Sequence, residues 1–267
     1  MTNLTPEELA RSIRIECLKM TNRANSSHIG SMFSCADIVS VLYSRILNFD
    51  VAMPTSEKRD YFLQSKGHAG GALYASLASL GFFKKELLKT YYQNGSKFGG
   101  HISHKDIEGV EISTGSLGHA LSIGCGISIE LKNKNLPNRT FVLLSDGELD
   151  EGSNWEAMLF AGHHILNNLT IIIDYNKLQS IKPVSETLGL EPLEDKFKSF
   201  GWEVCSIDGH NYSEIEETLN RNSTKPFCII AHTIKGKGVS FMENSVLWHY
   251  RSPQGQEFED ALKELTE

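Results

Sequence analysis

Two short apolar runs, Phe141–Leu144 and Leu169–Ile173, each stop at a polar turn: Ser145-Asp146-Gly147 after the first, Asp174-Tyr175-Asn176 after the second. Neither run is long enough for a helix, and neither alternates with polar residues, so both read as strands buried on two faces. Between them Trp155, Met158, Leu159 and Leu166 recur at helical spacing beside small Ala157, Ala161 and Gly162, which predicts a helix beginning near Ser153 or Asn154. A strand, helix, strand unit of this kind pairs its strands in parallel and brings both strand ends out on one edge of the sheet. In open α/β sheets that edge takes the ligand.

The same alternation extends in both directions. Thr5-Pro6-Glu7-Glu8 combines a capping box with a proline in the first turn and predicts a helix to about Asn22. A polar stretch with His28, Gly30 and Ser31 reads as a short loop, followed by a second capped helix from Ser34 to about Leu47. Tyr61–Gln64 is a short strand, and Ser65-Lys66-Gly67-His68 opens a helix that Gly81 ends. Downstream of the central unit come a helix from about Pro192 to Phe200, a strand at Trp202–Ile207 and a helix capped at Ser213. A buried strand at Pro226–Ala231 and a charged amphipathic helix from about Gln254 complete the pattern. Without internal repeats or low-complexity linkers, this predicts one domain over residues 1–267: a doubly wound, mainly parallel α/β sheet with helices on both faces.

Composition limits the function. A formal charge of -7 and a pI near 5.8 argue against a general nucleic-acid or anionic-membrane surface, so an anionic ligand would need local compensation. Five scattered cysteines without a Cys-x-x-Cys pair read as reduced and buried. The N-terminus lacks the basic and apolar regions of a signal peptide, and no apolar run reaches membrane-spanning length, so a cytoplasmic location is expected.

On the shared edge, Asp146 and Asn176 would lie side by side. A carboxylate and an amide oxygen are hard donors suited to Mg2+, with Ca2+ also acceptable to them, and Mg2+ commonly shares its sphere with phosphate. Gly147 would let a diphosphate approach the backbone. His101 and His104 have zinc-like spacing but no third ligand. His232-Thr233-Ile234-Lys235-Gly236-Lys237-Gly238 does not have Walker A spacing, and Gly115-Ser116-Leu117-Gly118 is no dinucleotide fingerprint.

Asp146-Gly147 followed by Asn176 after the next strand is similar to the thiamine diphosphate and metal motif. The flanking segments resemble transketolase in family order, from Asn25-Ser26-Ser27-His28 with Gly30-Ser31, through Gly67-His68, His101 and Gly115-Ser116-Leu117-Gly118, to Lys235 and Trp248-His249. The resemblance implies metal ligation by Asp146, Asn176 and the Leu178 carbonyl. It implies cofactor contacts from Ser31, His68, Gly115, Ser116, Leu117, Gly147, Glu148, Asn176, Lys235 and His249. His28, His68, His101 and His249 would handle sugar hydroxyls and protons, since histidine titrates near neutral pH. Ser145 and His119-Ala120 depart from the family's usual Gly and Gln-Gly.

The resemblance covers the diphosphate-binding domain alone. It implies one subunit of a split enzyme that transfers a two-carbon ketol unit from a ketose to an aldose. A partner subunit would carry the pyrimidine-binding domain with its activating glutamate. The acidic run Glu148, Asp150, Glu151 and Glu156 reads as a solvated helix start, favoured by the helix dipole. By resemblance, Glu151 and Glu156 instead lie at a subunit interface, where close carboxylates would share protons and couple two sites in an α2β2 assembly. The alternatives are a metal hydrolase, a catalytically silent regulatory subunit, or the α subunit of a 2-oxo acid dehydrogenase. The separated histidines and Trp248-His249 disfavour the last.

Overall fold

In the computed structural model, which describes residues 4–267, five strands form one fully parallel sheet. They are β1 (Tyr61–Gln64), β2 (Thr140–Ser145), β3 (Leu169–Tyr175), β4 (Glu203–Asp208) and β5 (Phe227–His232), in the order β1-β2-β3-β5-β4. Alternate residues feed opposite layers, as the two-residue period of a strand requires. Phe141 and Leu143 join one core with Ile172 and Ile229; Val142 and Leu144 join the other with Ile171, Ile173 and Ile230. The continuous apolar run in the sequence is therefore two interleaved faces, each covered by helices.

Helices α1 (Pro6–Ala24), α2 (Ile29–Ser34), α3 (Ala36–Val41) and α4 (Gly70–Leu80) cover the first face. The second face is covered by α5 (Ala120–Asn133), α6 (Gly152–His163), the single turn α7 (Val184–Thr187) and α8 (Leu193–Ser199). The chain then returns to the first layer with α9 (Tyr212–Leu219) and α10 (Gln256–Thr266). The predicted doubly wound architecture is the one observed. The capping box is formed too: Thr5 Oγ1 accepts from the Glu8 N–H at 3.2 Å, and the Glu8 carboxylate accepts from the Thr5 N–H at 2.8 Å.

One stretch departs from expectation. His28 takes a left-handed conformation (φ 77°), and α2 begins immediately after it, so Gly30 and Ser31 lie inside a helix rather than in a loop. Ser34 is not a cap: its hydroxyl donates to Asp174 at 2.6 Å. Helical structure from Ile29 to Ile46 is instead broken at Cys35 and ends in the π-helical turn Leu42–Ile46. Smaller shifts have local causes. Trp202 precedes β4 because its indole is anchored to the Met158 carbonyl at 2.9 Å, and α9 is capped by Asn211 rather than Ser213.

Candidate functional site

The segments following β1, β2, β3 and β5 meet above the carboxyl edge of the sheet, joined by the start of α2 and the turn Val246–His249. They enclose a cavity of about 220 Å³. His28, Ser31, His68, His101, Gly115, Leu117, Asp146, Gly147, Asn176, Leu178, Lys235 and His249 line it together. These residues come from eight separate stretches of chain, and the topology brings them to one place.

Not every predicted residue reaches the cavity. Glu148 is fully buried behind it, where its carboxylate accepts from the Ser65 hydroxyl and from the N–H groups of Gly118 (2.9 Å) and Ser145 (3.3 Å). Its place is a brace between three loops rather than a cavity wall. Ser116 points to solvent beside the lining residues Gly115 and Leu117. Glu151 and Glu156 are exposed on the first turns of α6, away from the cavity.

Backbone contacts set the walls. The His28 N–H donates to the His249 carbonyl at 2.7 Å, which ties the start of α2 to the late turn. Gly67 packs against the segment before Gly115 so closely that a Cβ would sit 2.4 Å from the Thr114 carbonyl. A side chain there would force apart the two loops that carry His68 and Leu117. Gly147 faces the Gln179 side chain, 3.0 Å from where its Cβ would stand.

The four histidines form one cluster, with ring centroids 5.4 Å apart for His28 and His68, 5.6 Å for His28 and His101, and 5.0 Å for His28 and His249. Burial, then the His101 ring and the Lys235 charge, push His28 down to about 4. Burial and the Lys66 ammonium push His68 well below its ordinary value. Both are therefore neutral imidazoles at neutral pH, able to donate and accept hydrogen bonds.

Two further groups carry charges that the protein leaves poorly compensated. Burial, reinforced by the neighbouring Asp174, raises Asp146 to about 7, even though its carboxylate accepts from the N–H groups of Gly147 (2.7 Å) and Lys177 (2.6 Å). Burial and the Lys66 charge lower Lys235 to about 8. One group favours a cation and the other an anion, within one cavity. A diphosphate with its divalent metal supplies both charges, so the residues present fit that group.

The Asp146 carboxylate, the Asn176 amide oxygen and the Leu178 carbonyl are oxygen donors on the cavity lining that could hold a divalent metal. The last already accepts from Lys235 Nζ at 2.9 Å, and a carbonyl has a second lone pair. Among the described residues, no group of three or more His, Cys, Asp or Glu side chains is placed to hold a metal, and none forms around His101 and His104. His104 instead faces Ser113, with Nδ1 2.7 Å from its hydroxyl.

Sequence reasoning missed Lys66, Gln179 and Ser180, which also line the cavity, and Asp174 behind them. Lys66 and Asp174 form a fully buried ion pair, and Asp174 also accepts from the hydroxyls of Ser34 and Thr233. The available signal was the polar Asp174 at the end of an otherwise apolar strand, opposite Ser145 in register. A wider depression of about 460 Å³ lies at the amino edge of the sheet and contains none of the motif residues. Its Asn138 and Arg139 side chains are spent on backbone carbonyls of Glu57, Arg59 and Ile46 and on Asp60, a structural role.

Comparison with known proteins agrees with this geometry. The family described as "Transketolase, thiamine diphosphate binding domain" matches residues 5–264. An apulose-4-phosphate transketolase subunit of Actinobacillus succinogenes is 40% identical over 270 residues, covering 98% of both chains. The 6-deoxy-6-sulfo-D-fructose transketolase subunit SqwG of a Clostridium species is 39% identical over 259 residues, covering 96% of this chain and 94% of that one. Among solved structures, transketolase from Campylobacter jejuni superposes with a TM-score of 0.91 at 33% identity, covering 98% of this chain and 42% of that chain. Matched along nearly its whole described length in sequence and in fold, the chain belongs to the transketolase family, as its thiamine diphosphate-binding domain.

Proposed function

We propose that the protein is the diphosphate-binding subunit of a two-chain transketolase, which moves a two-carbon ketol unit from a ketose to an aldose using thiamine diphosphate and Mg2+. The observation that carries this reading is that Asp146 and Lys235, of opposite charge, line one cavity together with His28, His68, His101 and His249. The two-chain organisation rests on two relatives that are matched over nearly their full length and are named as subunits. Their names carry different sugars, so the shared element is the reaction type.

When bound, thiamine diphosphate supplies the carbanion chemistry that makes and breaks the carbon–carbon bond. Asp146, Asn176 and the Leu178 carbonyl hold Mg2+, and Lys235 neutralises the diphosphate. Ser31, Gly115 and Leu117 fit against the cofactor. His28, His68, His101 and His249 bind sugar hydroxyls and shuttle protons, since a neutral imidazole offers both a donor and an acceptor. Glu151 and Glu156 face a second copy of the chain, giving two coupled sites in an assembly of two such chains and two partners.

The test is a two-carbon transfer assay on the purified chain, alone and mixed with a partner subunit that bears the pyrimidine-binding domain. Transfer only in the mixture is the expected result. Enzyme-like transfer by the single chain would overturn the two-chain reading, and no transfer in either preparation would overturn the activity.

A further inference from the structure

His210 lies outside the cavity, on the turn after β4, yet hydrogen bonds connect it to the cavity wall. Its Nδ1 is 2.7 Å from Asp37 Oδ2, and its Nε2 accepts from the Ile234 N–H at 2.8 Å. A backbone amide can only donate, so Nε2 carries the lone pair and the ring proton sits on Nδ1, donating to the carboxylate. The contacts select one tautomer of a neutral ring.

The Asp37 end is rigid. Its two oxygens accept from both terminal nitrogens of Arg14 at 2.7 Å each and from the Tyr212 hydroxyl at 2.7 Å. Asp37 is on α3, Arg14 on α1 and Tyr212 on α9, so three helices hold the carboxylate. The Gly209 N–H donates to the His232 carbonyl at 2.8 Å, which places His210 directly after the last contact between β4 and β5.

The Ile234 end bears on the site. Thr233 donates its hydroxyl to Asp174, the Ile234 N–H is held by His210, and the Gly236 N–H donates to the Gly30 carbonyl at 3.0 Å. Between the last two anchors, the Lys235 side chain runs into the cavity with 1% of its surface exposed and donates to the Leu178 and Gln179 carbonyls at 2.9 Å each. The Ile234 amide is the nearest backbone donor to Lys235 on its amino-terminal side, and His210 is its acceptor.

We infer that His210 is a positioning residue: it transmits the fixed position of Asp37 to the backbone before Lys235, and so aims the Lys235 ammonium at the ligand. The inference rests on the diphosphate-binding role proposed for Lys235. Losing the acceptor leaves the Ile234 N–H without a partner and lets the Thr233–Gly236 turn rotate.

Calorimetry on the assembled enzyme with thiamine diphosphate and Mg2+ tests it, using His210→Asn, His210→Gln, Lys235→Met and the two double variants. Asn keeps a donor near Asp37 but is too short to reach Ile234; Gln keeps an acceptor at the Ile234 end. His210→Asn is expected to weaken binding by about ten- to a hundredfold, the scale of one hydrogen bond to a charged group. His210→Gln should restore most of that loss, and neither change should weaken binding further when Lys235 is already Met. Equal losses with and without Lys235 would overturn the inference. Hydrogen exchange on the wild-type chain supplies an arm that does not depend on variants folding: the Ile234 amide should be protected, and exchange as fast as an exposed loop would overturn the contact. If the wild-type enzyme binds no thiamine diphosphate, the proposed function falls and the role of Lys235 with it. If wild type binds and His210→Asn binds equally well, only the positioning role falls.

Discussion

The Lys235 ammonium lies 2.9 Å from Nδ1 of His249. An ammonium has only protons to give, so this ring nitrogen accepts and the imidazole proton is on Nε2. Burial, then the Lys235 charge, then the His28 ring push His249 down to about 3. At neutral pH the ring is uncharged and held in one tautomer by a residue whose other contacts are the Leu178 and Gln179 carbonyls. The orientation of the His249 ring, proposed to handle protons, is thus coupled to the residue proposed to hold the diphosphate.

Lys235→Met should separate the two roles. It removes the neighbouring positive charge while keeping an unbranched chain, so the His249 pKa should rise toward the ordinary histidine value of about 6.5. Affinity for thiamine diphosphate should fall by about ten- to a hundredfold. Histidine NMR titration of the variant reads the first effect and calorimetry the second. A His249 signal that titrates as in wild type would show that Lys235 does not set its state.

Asp146→Asn should have opposite effects on stability and on binding. Burial and Asp174 already make the Asp146 charge unfavourable, so an amide of the same shape removes a buried negative charge from beside Asp174. One of the two backbone N–H contacts at Gly147 and Lys177 keeps its oxygen acceptor. Thermal unfolding of the isolated chain should occur at or above the wild-type temperature. Mg2+-dependent cofactor binding should nevertheless fall at least about tenfold, because a charged ligand has been lost. Unchanged metal-dependent binding in calorimetry would remove Asp146 from the metal site.

The central unit is legible in the sequence because it is local. The runs at Phe141–Leu144 and Leu169–Ile173 end in polar turns, and parallel pairing alone puts Asp146 and Asn176 on one edge. The buried charges behind the site are not local. Lys66 reads only as part of the Ser65-Lys66-Gly67-His68 segment that opens a helix, yet its partner Asp174 is 108 residues away and both are fully buried. Ser34 reads as a helix cap for the same reason, since its hydroxyl is spent on Asp174 across 140 residues. His210 and Asp37 are 173 residues apart and meet only after β4 has been placed beside β5. Pattern rules see periodicity and turns; they do not see which buried polar groups will pair once the layers close.

Asp37 makes a prediction about acid stability. Burial alone would raise its pKa, but Arg14, His210 and Tyr212 outweigh that and hold it well below the ordinary carboxylate range. A carboxylate depressed in the folded state stabilises the fold fully above the unfolded value, near pH 4, and loses that contribution as pH falls below it. Urea unfolding of wild type should therefore show stability dropping between about pH 4 and pH 2. Asp37→Asn should be less stable at pH 7 by about 3–5 kcal/mol, because the buried Arg14 is left unpaired, and its acid slope should be shallower. Parallel slopes for the two proteins would mean that Asp37 is not the group responsible.

Glu151 makes the last prediction, and it concerns assembly. The residue is exposed at the start of α6, and Glu156, also exposed, lies five positions further along the chain. Solvated acids at a helix start gain from the dipole, about 0.3–1 kcal/mol each, and on that account Glu151→Gln would change little. In the proposed assembly these carboxylates instead meet a second copy of the chain, where removing a charge alters contacts between sites. The isolated Glu151→Gln chain should then keep its circular dichroism spectrum and melting temperature. Mixed with the partner subunit, it should show a lower mass by light scattering or a lower transfer rate than wild type. A variant matching wild type in both mass and rate would leave Glu151 as a solvated helix start, with the dipole as the whole reason for an acid at that position.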